Sequence, residues 1–158
     1  MKRRKPVNIH GKADWIGNIV YNLILAVVLS AVAEILNAGR VMWPAICIET
    51  VISFILEMLI VMYLPFVKIG FATAKKHYPP GTYKCRLIAT TIGSIPFAIL
   101  MSGLMSLYSV VIVLRLPVMA WLIGWVKIVL IFIIIAWLCA FFLLPPIMGW
   151  ANKKFGAL

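Results

Sequence analysis

Four long apolar runs, separated by short polar or proline-marked stretches, organise this chain: residues 15–36, 43–67, 87–114 and 118–144. At about 1.5 Å of rise per residue, each run exceeds the roughly 30 Å of a bilayer's hydrocarbon core and predicts a spanning helix. The breaks between them are of two kinds. Residues 37–42, with Gly39 and Arg40, and the trio Arg115, Leu116 and Pro117 read as tight connections. Residues 68–86 read as a polar loop turned by Pro79, Pro80 and Gly81, and the last run is closed by Pro145 and Pro146 before a basic tail. The pattern predicts an all-α integral membrane protein, a four-helix bundle built from two tandem helical hairpins. Its expected organisation is a basic N-terminus (1–14), a first helix pair (15–78), a linker (79–85) and a second helix pair with tail (86–158).

Composition removes the soluble alternatives. The chain is 65% hydrophobic and has four acidic residues against fifteen Lys and Arg, too few charges to cover a soluble surface. Nucleic-acid binders spread their excess of cations over polar faces, whereas these cations cluster between apolar runs. Four spans put the N-terminus, the middle loop and the tail on one side, with Lys2, Arg3, Arg4, Lys5, Lys12, Lys68, Lys75, Lys76, Lys84, Arg86, Lys153 and Lys154. The opposite side has Arg40 and Arg115. The positive-inside bias therefore predicts a multi-pass protein of the bacterial inner membrane with both termini cytoplasmic. Anionic lipid is a second use for the basic N-terminus, although topology alone accounts for it. Ala31, Val32 and Ala33 have the form of a signal-peptide cleavage site, but the first run is too long for a signal core and is expected to be a retained span.

The halves match at an offset of 76 to 79 residues. Gly17 aligns with Gly93, Trp43 with Trp121, Gly70 with Gly149, and Lys75 and Lys76 with Lys153 and Lys154. A helix pair repeated in the same orientation predicts two units related by an axis along the membrane normal. The repeat also has a stripe at four-residue spacing. Asn18, Asn22, Ala26, Ser30 and Glu34 form it in the first run, and Ser94, Ala98, Ser102, Ser106 and Val110 in the third. Small and weakly polar side chains on one stripe let helices approach closely, so the stripe predicts either a helix contact near that axis or the lining of a narrow polar cavity.

Residues 98–107 (AILMSGLMSL), Pro117, Trp121 and Trp125, and residues 144–155 (LPPIMGWANKKF) resemble a small bacterial membrane family. It is the uncharacterised two-helix family called domain of unknown function twenty-seven-ninety-eight. The resemblance covers residues 83–155, and residues 13–78 more weakly as a second copy. It implies a helix-pair fold and no activity. Lys127 departs from the family pattern, which implies an uncharged residue there.

Charges inside the runs are the chemistry on offer, because an unpaired carboxylate in hydrocarbon costs several kcal/mol. Glu49 and Lys127 are equivalent under the offset, each six residues beyond its tryptophan, and predict an ion pair across the axis. Glu34 stands at similar depth as a third member of this outer charged cluster, and Lys127 alternatively snorkels to the interface. Glu57 has Ile135 as its equivalent and so no cationic partner by symmetry. It shares a helix side with Glu49 and Ser53, within about 80° at 100° per residue. Its level is that of Asn22 and Ser102. A carboxyl at that depth is expected to hydrogen-bond as a neutral acid, tied to Asn22, or to take a proton or cation.

Catalysis has little to stand on. His10 and His77 fall in polar segments, and no nucleophile–base set, metal motif or phosphate loop is present. Cys47, Cys85 and Cys139 have neither metal-site nor disulfide spacing, and no cofactor is expected. Trp15, Trp43, Trp121 and Trp150 near the run ends read as interfacial anchors. Two functions remain. One is a small transporter or efflux-type protein, working as a homodimer, that binds a proton or cationic solute at Glu57 with Asn22, Ser53 and Ser102. The other is a non-transporting assembly, regulatory or structural subunit whose buried polar groups fix helix packing.

Overall fold

The computed structural model describes residues 11–38 and 41–156, and every regular element among them is helical. The helices are α1 (Lys12–Ala38), α2 (Trp43–Tyr63), α3 (Phe66–His77), α4 (Tyr83–Leu107), α5 (Val118–Phe142) and α6 (Leu144–Phe155), with a π-helical segment, Tyr108–Val113, ending α4. Four stretches are long and apolar enough to cross a membrane: α1, α2, α4 with its π segment, and α5 continuing into α6. The residues Ala31 to Ala33 lie within α1, which continues to Ala38. Gly39, Arg40, His10 and the basic residues Lys2 to Lys5 lie outside the described residues.

Each long helix buries one stripe and exposes the rest. In α1, Asn22, Leu25, Ala26, Leu29, Ser30 and Ala33 are buried at helical spacing, while Leu23, Ile24 and Val27 are exposed. Contacts between α1 and α2, α2 and α4, α4 and α5, and α5 and α1 close a ring of four. Tyr21, Leu25, Leu29 and Ala33 of α1 pack with Phe132 and Cys139 of α5. Ile60 of α2 packs with Met101 and Met105 of α4, and Phe97 borders both groups. The outward faces stay apolar, with Ile48, Val51, Ile55 and Leu59 on α2 and Val126, Leu130 and Ile134 on α5. An apolar surface that extensive needs hydrocarbon around it, the condition of a multi-pass membrane protein.

Two stretches expected as a polar loop and a tail are largely helical. Proline punctuation, read from sequence as a stop, here begins new helices. Leu64 is extended, as a residue before proline prefers, and Pro65 caps the start of α3. Pro145 and Pro146 occupy the first turn of α6, where a missing N–H costs nothing. Both short helices then lie along a spanning helix of the other hairpin, α3 on α4 and α6 on α1. Gly70 and Ala74 of α3 sit against Cys85, Ala89 and Gly93 of α4, and Gly70 approaches the Ala89 carbonyl so closely that no side chain fits. On the other side, Gly17 of α1 faces Met148 and the buried Ala151 of α6.

The turn between α3 and α4 does follow its punctuation. Gly81 adopts φ +88°, open to glycine at no steric cost, and the Thr82 hydroxyl accepts from the Cys85 N–H at 3.3 Å to cap α4.

Candidate functional site: carboxyls inside the bundle

The interior stripe of α2 is Ile46, Ser53, Glu57 and Ile60, and Glu57 is fully buried. The Ser53 hydroxyl donates to one Glu57 oxygen, Oε1, at 3.2 Å. The other oxygen, Oε2, has no hydrogen-bond partner. Around the carboxyl stand Tyr21 of α1 and Cys139 of α5, both within its electrostatic reach. Glu57 therefore looks into the bundle between three helices rather than toward lipid.

Asn22 and Ser102 are buried as completely as Glu57 but are engaged elsewhere. The Asn22 amide donates to the Met58 sulfur at 3.3 Å. The expected tie between Asn22 and Glu57 is replaced by this contact, because adjacent residues on a helix point about 100° apart. The Ser102 hydroxyl donates to the Ile99 carbonyl at 3.1 Å and accepts from the Trp125 indole at 2.9 Å. Of the four residues grouped from sequence, the fold joins Ser53 to Glu57 directly and leaves Asn22 and Ser102 in neighbouring contacts.

Farther along the bundle, Glu34 of α1 is buried and Glu49 of α2 is half-buried, within electrostatic reach of each other. Ser109 of the π segment donates to Glu49 Oε1 at 3.4 Å. Lys127 does not complete the expected cluster. It is exposed on α5, away from the interior stripe of Phe132, Ala136 and Cys139. The reason is directional: α5 is apolar all round, so the offset supplied depth without a facing. Two acids thus share the end of the bundle where α1 meets α2. Eight residues, about 12 Å of helix, separate Glu49 from Glu57. Ser30, Thr50 and Ser94 add further buried hydroxyls without partners, beside Glu34 Oε1 and Glu49 Oε2.

The contacts of four residues, Tyr21, Trp121, Trp125 and Ser109, were not legible beforehand. Tyr21 looked like any aromatic of a span. Trp121 and Trp125 lie stacked, 5.7 Å apart and 7° from parallel, with the Trp121 indole on the Gly103 carbonyl at 3.2 Å. Trp121 is thus tied to α4 and half-buried, whereas Trp15, Trp43 and Trp150 are exposed. Ser109 owes its aim to the π segment, where Leu114 N–H reaches back five residues to the Ser109 carbonyl at 3.0 Å. A four-residue spacing rule does not foresee that extra residue in the turn.

Among the described residues no group of three or more His, Cys, Asp and Glu is placed to hold a metal, and the three cysteines are free. His77 is exposed at the end of α3. The residues that carried the family resemblance, residues 98–107 with Trp121 and Trp125, are in mutual contact through Ser102 and Gly103. Set against known proteins, the chain matches no family model, no curated protein and no solved structure.

Proposed function

We propose that this chain is a small transport protein of the bacterial inner membrane that takes a proton or a small cationic solute at Glu57. The observation that carries the reading is one carboxyl, fully buried among three helices, with a single partner in Ser53 and a free second oxygen. Intramembrane acids are expensive to keep, and an oxygen left without a donor is a place where a proton or an ammonium group regains the lost energy. The acids Glu34 and Glu49 and the hydroxyls Ser30 and Thr50 extend the polar interior toward the end of the bundle where α1 meets α2.

The same reading takes the chain as a tandem duplication with both termini cytoplasmic. Paired contacts support it: α1 meets α2 and α6, and α4 meets α5 and α3. The cations at the ends bearing α3 and α6 support the orientation. One chain encloses little space, so the working unit is a homodimer. The resemblance of residues 83–155 to the uncharacterised two-helix family belongs to this proposal as well.

A second reading has an observation of its own. Asn22 and Ser102 are already engaged by Met58 and Trp125, as packing residues of a non-transporting assembly or regulatory subunit would be. Glu57→Gln separates the two. Purified protein is melted across pH and across a panel of amines, lipophilic cations and metal ions, with Tyr21 and Cys139 as the other titratable groups near Glu57. Transport chemistry expects a ligand that stabilises the wild type, competes with protons and fails on the variant. A packing role expects both proteins to ignore every ligand and to differ only in baseline melting.

A further inference from the structure

At the other end of the molecule, the turn between α3 and α4 leaves a cavity of about 380 Å³. Lys75 from α3 and Arg86 from α4 stand on its wall, with Phe71, Pro80 and Tyr83 beside them. Both cations are exposed, and each lies against an aromatic ring. The Arg86 guanidinium lies 4.7 Å from the centre of the Phe141 ring, and the Lys75 ammonium 6.0 Å from that of Phe71. Aromatic faces attract cations without neutralising them.

The sequence makes neutralisation from within the chain hard to supply. No acidic residue follows Glu57, so α3, α4, α5 and α6 contain none. Glu34, Glu49 and Glu57 sit inside the bundle or at its far end, and Asp14 belongs to the first turn of α1. Two positive charges on the wall of one cavity, with no acid on either element that forms it, suit an external anion. The apolar side chains say which kind. Tyr83, at the beginning of a span, is 63% exposed, and Phe71 of α3 is exposed on the same wall. A free anion gains nothing from those side chains, whereas the acyl chains of a lipid would cover them.

We propose that this cavity is a binding site for the phosphate headgroup of an anionic phospholipid, held by Lys75 and Arg86 with its acyl chains along Phe71 and Tyr83. Basic pockets at the cytoplasmic ends of spanning helices suit this chemistry. The inference does not depend on any transport through Glu57.

The test compares melting of the full chain in nanodiscs of phosphatidylcholine alone with nanodiscs containing phosphatidylglycerol. The wild type is expected to melt a few degrees higher with the anionic lipid. The variant K75Q/R86Q is expected to lose that gain. The variant K76Q/K84Q, which removes the same charge from neighbouring positions off the cavity wall, is expected to keep it. K75Q alone covers the case in which loss of Arg86 impairs folding, and is expected to lose a large part of the gain. Equal loss in the on-cavity and off-cavity variants would reduce the effect to diffuse surface charge and overturn the site. So would the absence of any gain with phosphatidylglycerol. Full reproduction of the gain by millimolar inorganic phosphate in phosphatidylcholine discs would overturn the lipid assignment in favour of a soluble anion.

Discussion

The hairpin α1–α2 places three acids in the bundle, whereas α4–α5 has none and uses indoles instead. In the first hairpin, Glu34, Glu49 and Glu57 each have an oxygen without a partner, and Ser30 and Thr50 are similarly unpaired. In the second, the Trp121, Trp125 and Trp137 N–H groups meet the Gly103 carbonyl, Ser102 and Thr91. Helices in the same order thus differ in degree. Among the described residues, the unpartnered carboxyl oxygens all lie in the first hairpin, while the second leaves a single buried hydroxyl, that of Ser94, without a partner. Satisfied groups hold helices together. Unsatisfied ones cost stability and are the better place to look for a ligand.

The largest expected effect concerns how each hairpin is clasped. Gly70→Ala pushes a methyl group into the Ala89 carbonyl, which belongs to helix backbone and cannot step aside. A loss of about 3 kcal/mol is expected, at the upper end for overpacking. Gly17→Ala meets the flexible end of Met148 and should cost about 1 kcal/mol or less. Equal losses in denaturant melts in micelles would mean that the two clasps are equally tight.

Glu57→Leu probes the unsatisfied side. Removing the free oxygen while roughly keeping side-chain volume should raise stability by about 1–3 kcal/mol. A lower melting point would show that the carboxyl does more for packing than its single bond to Ser53 suggests. The smallest effect belongs to the satisfied side. Trp125→Phe removes one donor from Ser102 and should cost about 1 kcal/mol, in keeping with hydrogen bonds between spanning helices. A neutral result there would erase the contrast between the hairpins.

Much of the fold was legible because hydrocarbon imposes length. Four runs long enough to span could hardly be anything but four spans, and of the four-residue stripe in α1, Asn22, Ala26, Ser30 and Glu34 are buried while Asn18 is half-buried. Spacing along one helix was legible too: Ser53, four residues before Glu57, does donate to its carboxyl. Direction around a helix was not. Lys127 sits on a helix apolar on every side, so no contrast marks its inner face. Asn22 missed Glu57 by one residue. The helices α3 and α6 escaped notice because proline looks the same whether it ends a helix or occupies the next one's first turn.

The exchange of short helices changes how the molecule is best thought of as an assembly. The α3 arm leaves its own hairpin at Pro65 to lie on α4, and the α6 arm leaves at Leu143 to lie on α1. Each half is completed by a limb of the other, as in two subunits that swap arms. The two hairpins, joined through Pro79, Pro80 and Gly81, are thus interlocked by their short helices.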